Sequence, residues 1–434
     1  MDNGKKKRYF VDLFAGCGGL SLGLEQAGFT PALVNELSPE AMETYLINRD
    51  EDFPLLREKY RVNDIKALIN NSELFKSIVD GMLIDYGIDI NKGELDLVVG
   101  GPPCQGFSGI GHRRSYSVEK NNLPSNHLYL DMITLIKRFN PKIFMFENVK
   151  GILSGRWTSS GEKGEIWNDV YKAFSEVGGY IVRWKLVHAK EYGVPQNRPR
   201  VLLVGIRNDV LKNSELPHDL INKGFLPDAI DAGFLPSPTN NYPDLQDLLS
   251  DLIDKEFMFG GENSHYIKPP QNEFQRNLRT SKNGELMDVG DRLSEQEYGK
   301  HTPHVIDKFT HMINNNGKIP DQYKTKKFAQ KLLPAKWGSN GPSITATCLP
   351  DDYVHFSQPR ILTVREWARL QMFPDWYQFA GKRTTGGLRR AGNPREGVYD
   401  RELPKYTQIG NAVPVALAGK VGENLLSILG GRNA

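Results

Sequence analysis

Apolar residues in the first half of the chain fall in short runs separated by stretches of helical spacing. Residues 9–14, 31–36, 95–99, 142–146, 180–187 and 200–206 are rich in Val, Ile, Leu and Phe, the pattern of strands buried on both faces, and 61–64 is a weaker run of the same kind. Residues 20–27 and 39–48 carry apolar side chains at helical intervals. Ser38 followed by Pro39 predicts a capped start with proline at the first helical position. A further helix is expected over 65–84. Strands alternating with helices predict an α/β fold built on a doubly wound, mostly parallel sheet. In such sheets ligands bind beyond the carboxyl ends of the strands, so site residues are expected just after Phe14, Glu36, Val99 and Phe146.

The pattern breaks after Arg207. To about residue 358, Pro, Asn, Asp and Gly punctuate short segments, as in Pro236-Ser237-Pro238-Thr239-Asn240-Asn241. A helix is expected over 363–372, ended by Pro374, and then a loop over 381–405 with seven Lys or Arg against three acids. The segment from Gln408 is apolar and helical again. These changes predict a first domain over 1–207, completed by 406–434, and a second, smaller, irregular domain over 208–405. The sequence contains no internal repeat and no low-complexity tract.

Composition narrows the classes. The 434 residues are 39% hydrophobic and 25% charged, which excludes disorder as the main state. Lys plus Arg is 55 against 52 acids, a net charge of +3, so any nucleic-acid binding must come from local patches. Three cysteines (Cys17, Cys104 and Cys348) rule out a disulfide framework and a structural zinc site. No apolar run reaches the roughly 18 residues of a membrane span. A soluble protein of a reducing, cytoplasmic compartment is expected, with no membrane partner and no metal.

Three places carry chemistry. Asp12-Leu13-Phe14-Ala15-Gly16-Cys17-Gly18-Gly19 joins the first strand to the first helix. Glycines there allow a ligand to touch the backbone, and the helix start offers unpaired N–H groups. Glu36, at the end of the second strand, suits a ribose diol, so the cofactor is either NAD or S-adenosylmethionine. The Gly-x-Gly-Gly order and the lack of a cation for a pyrophosphate count against NAD. Cys17 is expected to be a small filler in the turn. Gly100-Gly101-Pro102-Pro103-Cys104-Gln105-Gly106-Phe107-Ser108 takes the chain stiffly out of the sheet and delivers Cys104 beside Arg113 and Arg114, as expected for a thiolate nucleophile. Glu147 ends another apolar run, where burial should raise its pKa and suit it to donate a proton to a ring nitrogen. Gln196-Asn197-Arg198-Pro199-Arg200 sets two arginines around a proline, suited to carboxylate or phosphate contacts.

Taken together these segments resemble the DNA cytosine-C5 methyltransferase family. The glycine loop resembles its cofactor loop, and Pro102 to Ser108 its catalytic loop. Glu147-Asn148-Val149 and the Gln196 to Arg200 segment match its next two signatures. Arg360 to Glu366 with Ala368 to Pro374, and Gln408 to Pro414, match its last two. Six matches in the family's order span nearly the whole chain, except 208–342. Cys17 stands where the family more often has an aliphatic residue, and the stretch from Asp64 to Cys104 is long.

The resemblance implies an S-adenosylmethionine-dependent, Rossmann-like methyltransferase with a target-recognition domain. It implies that Cys104 adds to C6 of a cytosine flipped out of the duplex, with Glu147 at N3 and Arg198 and Arg200 holding the base or its phosphate. For the cofactor it implies Phe14 at the adenine face, Ala15 with Gly16, Gly18 and Gly19 beside the methionine part, and Glu36 at the ribose. Asp64 and Ile65 would take the adenine edge, Pro102 and Leu128 would line the pocket, and Asn411 and Val413 would come from the chain end. S-adenosylhomocysteine would be the product. Gln105, Ser108, Arg113, Arg114, Arg389 and Arg390 are the expected DNA contacts, with Lys382, Arg383 and Arg395 further candidates for phosphate. Double-stranded DNA is the expected partner, transfer RNA the alternative. A bacterial or phage protein working in the nucleoid as a monomer is expected, as is a restriction endonuclease acting separately.

Overall fold

The computed structural model describes residues 6–103, 127–217, 227–324, 330–337, 342–344, 352–385 and 402–430. The chain divides into two compact units. The first comprises Met1–His188, Pro199–Thr239 and Leu417–Ala434, and the second Ala189–Arg198 and Asn240–Ala416.

The first unit alternates strand and helix from its start: β1 (Arg8–Leu13), α1 (Gly19–Ala27), β2 (Phe29–Asn35), α2 (Pro39–Ile47), α3 (Pro54–Glu58), β3 (Arg61–Val62), α4 (Ile65–Asn70), α5 (Ser72–Tyr86), β4 (Leu97–Gly100), α6 (Leu128–Phe139), β5 (Ile143–Val149), α7 (Glu165–Ser175), β6 (Tyr180–His188) and β7 (Pro199–Arg207). The sheet order is β3-β2-β1-β4-β5-β7-β6. The first five strands are parallel, and β7 enters antiparallel between β5 and β6. The sheet is thus mostly parallel and flanked by helices, the Rossmann-like arrangement expected.

Local chemistry sets the ends of these elements. The Ser38 side chain accepts from the Ala41 N–H and Pro39 takes the first turn of α2, as predicted. Pro31, which has no N–H for the ladder, sits where the β1–β2 register slips. The single helix expected over 65–84 is two. Asn71 is extended between them, and its side chain caps α5 through the Leu74 N–H instead of continuing α4.

A large core in this unit packs Val11, Leu33, Val98, Phe146 and Leu203 from the sheet against Tyr45, Met82, Leu135 and Phe174 from the helices. Most of the helix Val415–Ile428 belongs to the same unit. A Cβ at Gly422 would stand 2.8 Å from the Ala27 Cβ, so glycine lets this helix lie close on α1. The sequence pattern changes at 207 and 405, whereas the units change at 239 and 416. Residues 227–239 stay with the first unit because the Ala229 N–H donates to the Trp184 carbonyl and Asn424 to that of Gly233.

The second unit has short elements, and among its described residues charge is buried as well as apolar surface. Arg369 is fully buried, 2.6 Å from Asp251 and 2.5 Å from Asp375. Arg360 pairs with Glu366 at 2.6 Å, holding that carboxyl down at about 2. Arg365 donates to the carbonyls of Pro374 and Tyr377. Thr363 and Glu366 form a capping box at the start of the helix Val364–Arg369. That helix stops short of the expected 372, and the chain turns at Met372, whose φ is 62°, before Pro374.

Arg369→Leu would remove the nearest cation from two buried acids, leaving Asp251 to Arg279 at 3.4 Å and Asp375 to the Tyr266 hydroxyl at 2.7 Å. It is expected to lower stability by roughly 3–5 kcal/mol in urea denaturation. A loss under about 1 kcal/mol would contradict this account of the unit.

Candidate active site

The carboxyl ends of β1, β2, β4 and β5 carry the residues singled out in the sequence. After β1 the chain turns in the left-handed region at Phe14, Gly16 and Gly18, with φ of 60°, 57° and 83°. Two of the three are glycines, for which this conformation carries little penalty. Gly18 is the N-cap of α1, and Gly19 opens the helix. Glu36 lies across from this loop. Its Oε2 accepts from the Gly16 N–H and its Oε1 from the Ser38 N–H, both at 2.8 Å. Burial raises the Glu36 pKa against these two bonds. Ala15 is buried and Phe14 half-buried. Leu37, next to Glu36, is a large side chain left 72% exposed, a feature that no sequence signal marked.

Beneath the loop the Asp12 carboxylate accepts from Ser21 Oγ at 2.6 Å, and Ser21 Oγ lies 2.8 Å from the Tyr45 hydroxyl. Among the described residues Asp12 Oδ1 has no hydrogen-bond partner. Burial pushes this carboxyl up to about 7, although Ser21 and Arg49 act to lower it. Cys17 is buried and its thiol is pushed up to about 12, so it is inert at neutral pH. Asp64 caps α4 through the Lys66 N–H, with Ile65 buried behind it.

At the end of β4 the chain leaves the sheet through Gly101 and Pro102. A Cβ on Gly101 would come within 2.9 Å of Glu147 Oε2, so the carboxylate lies against bare backbone. Asn148 donates to the Pro102 carbonyl at 3.1 Å and ties the exit of β4 to β5. Glu147 and Arg200 sit diagonally on β5 and the antiparallel β7, since Glu147 faces Leu202 and Val149 faces Arg200. Arg200 Nε lies 2.6 Å from Glu147 Oε1, with about a tenth of each side chain exposed. Burial lowers the Arg200 pKa, and Glu147 acts against that shift.

Arg198 belongs to the second unit, where its guanidinium donates to the carbonyls of Ile344, Gly410 and Ala412 and braces those backbone segments. Gln196 acts similarly, donating to the Leu370 carbonyl and to Gln371. Asn411 is exposed and Val413 half-buried in the same unit, while Leu128 opens α6 in the first. Lys382 is paired with Glu402 at 3.1 Å and Arg383 with Glu297 at 2.9 Å. Cys104, Gln105, Ser108, Arg113, Arg114, Arg389, Arg390 and Arg395 lie outside the described residues. Among the described residues no group of His, Cys, Asp and Glu could hold a metal, and no helix is long and apolar enough to cross a membrane.

A sheet of this order, with a glycine turn and an acid at one edge and a buried acid–arginine pair beside the chain's exit from β4, fits the nucleotide-binding α/β class. The model of the C-5 cytosine-specific DNA methylase family matches residues 9–427, and the chain belongs to that family. It is 30% identical to type II methyltransferase M.DdeI of Desulfomicrobium norvegicum, over 96% of this chain and 88% of that protein. It is also 30% identical to type II methyltransferase M.BsuRI of Bacillus subtilis, over 95% of this chain and 78% of that one. A solved Escherichia coli structure, described as a prophage-encoded DNA modification methyltransferase, shares the fold with a TM-score of 0.63 at 22% identity, covering 98% of this chain and all of that one. The chain is a DNA (cytosine-5) methyltransferase.

The Asp12 carboxyl gives the loop a pH signature. Folded, it keeps its proton to about pH 7, whereas an unfolded aspartate loses it near 4. Its stabilising contribution is therefore full below about pH 4 and is lost as pH rises through about 7. Asp12→Asn keeps an acceptor for Ser21 and should flatten that decline in urea denaturation run at pH steps across this window. An unaltered slope would refute the assignment.

Proposed function

We propose that the chain methylates C5 of a cytosine within a short, specific site in duplex DNA, with S-adenosylmethionine as methyl donor and Cys104 as nucleophile. The observation that carries this reading is the buried Glu147–Arg200 pair, set where Pro102 leads the chain towards Cys104.

The edge of the sheet fits the donor. The Glu36 carboxyl accepts from the N–H groups of Gly16 and Ser38, with Leu37 also bonded to it, and its remaining lone pairs suit a ribose diol. The left-handed turn at Gly16 and Gly18 keeps bare backbone at the start of α1, suited to the methionine part with Ala15 and Gly19. Phe14 would lie on the adenine, Asp64 and Ile65 at its edge, and Pro102 and Leu128 along the pocket, with Asn411 and Val413 added from the chain end.

C5 of cytosine is a poor nucleophile. The Cys104 thiolate adds to C6, while Glu147 holds N3 and gives it a proton, which relieves the charge that develops on the ring. Arg200 keeps the Glu147 carboxyl oriented and presents positive charge beside the base. The ring becomes an enamine at C5, reactive toward the electrophilic sulfonium methyl group that the cofactor supplies when bound. Loss of the C5 proton to water, departure of the thiolate and return of the N3 proton to Glu147 then restore the neutral aromatic ring.

The target atom is hidden in a duplex, so the base must be flipped out. Gln105, Ser108, Arg113 and Arg114, which follow Cys104 in the sequence, would contact the DNA together with Arg389 and Arg390. The irregular second unit would read base edges in the major groove. Like its type II relatives, the chain would serve a restriction-modification system, with a separate endonuclease.

Purified protein, S-adenosylmethionine and an unmethylated plasmid should yield 5-methylcytosine at one short motif in bisulfite sequencing. A blank map with transfer RNA modified instead would move the substrate to RNA. Cys104→Ala should abolish transfer and leave DNA binding largely intact. Glu147→Gln should slow turnover by roughly 100-fold or more. Full turnover in either variant would end this mechanism.

A further inference from the structure

Asn35, the last residue of β2, is 1% exposed and has no role in the chemistry above. Its amide spans three strand ends. Oδ1 accepts from the Phe14 N–H at 3.4 Å. Nδ2 donates to the Val62 carbonyl at 2.8 Å and to that of Asn63 at 3.0 Å. Its own backbone carbonyl accepts from the Ala15 N–H at 2.9 Å. The residues it holds, or adjoins in the chain, are those suited to the nucleoside: Phe14, Glu36 and, one step past Asn63, Asp64.

Geometry explains why an amide is needed. Past the last ladder pairs, Leu13 with Asn35 and Asn35 with Val62, the peptide groups of Phe14 and Asn63 have left the regular strands. They leave an N–H on one side and carbonyls on the other. The Asn35 amide answers both sides with an acceptor and two donors in one plane, joining the Glu36 N–H that also donates to the Val62 carbonyl at 3.2 Å, and the two carbonyls decide which way the amide points. Phe14 is also a non-glycine residue in the left-handed region, a conformation that persists only when its surroundings hold it. Asn35 grips that residue on its N–H and the adjacent one on the next.

We propose that Asn35 is a positioning residue for the adenosine half of the cofactor, fixing Phe14, Glu36 and Asp64 in register with one another. This rests on the cofactor reading above. Asn35 touches neither the base nor the methyl group, so its loss should appear in cofactor affinity and not in the chemical step.

The test uses Asn35→Ala and Asn35→Asp in the full chain, the second keeping the shape and losing both donors. The Kd values for S-adenosylmethionine and for adenosine are measured by calorimetry, with kcat and KM on plasmid DNA. Both Kd values and the cofactor KM should rise by roughly 10- to 100-fold, while kcat at saturating cofactor stays within about threefold. Val170→Ala, a truncation in the core under α7, serves as the stability control and should leave both Kd values unchanged. The proposal fails if the Asn35 variants bind the cofactor no more weakly than this control, or if kcat falls while Kd holds. If Asn35→Ala does not fold, Asn35→Asp decides alone by the same criteria. A wild-type chain that binds neither ligand would sink the cofactor reading itself, and this inference with it.

Discussion

An acid and a guanidinium, Glu147 and Arg200, lie 2.6 Å apart and nearly sealed from water, and they set the terms for the carboxyl edge of the sheet. Either charge alone would be costly to bury, and removing one partner leaves the other stranded. Their meeting depends on topology. β5 ends at the edge where the parallel strands end, and β7 must run back antiparallel for its first residues to begin there. A parallel β7 would carry Arg200 to the opposite edge. The one antiparallel strand lying within the sheet is thus the element that supplies Glu147 with its partner.

The same edge carries the glycine turn, Glu36 and the exit of β4. Gly101 lets Glu147 lie against bare backbone, and Asn148 ties that backbone to β5. The glycine turn and Glu36 face each other because β1 and β2 are neighbours in parallel register. Behind the turn, Asp12, Ser21 and Tyr45 form a buried polar chain with an unsatisfied carboxylate oxygen, kept tolerable by a carboxyl that holds its proton to about pH 7.

The second unit solves a different problem. Its described elements are short, and buried arginines tie them by their backbone carbonyls and acids. A planar group with five donors suits that task, since it satisfies several irregular segments at once. Arg198 and Arg200, two residues apart, show how far context decides. One is enclosed by three carbonyls in the second unit, the other by a carboxylate in the first.

The strands, the glycine turn, the Ser38–Pro39 cap and the family itself were legible in the sequence, because each rests on chemistry within a few neighbouring residues. The strand order, the hydrogen-bond partners of Arg198 and Asn35, and the break at Asn71 were not. Two arginines flanking a proline look alike in a sequence, and only the segments folded around them separate the brace from the partner of Glu147. Asn35 carries no signal of its own, since its three bonds run to residues at least 21 positions away. Local pattern therefore determined which elements form and what chemistry they can carry. Tertiary structure decided which side chains meet, because a buried polar group takes its role from the partners that long-range packing brings to it.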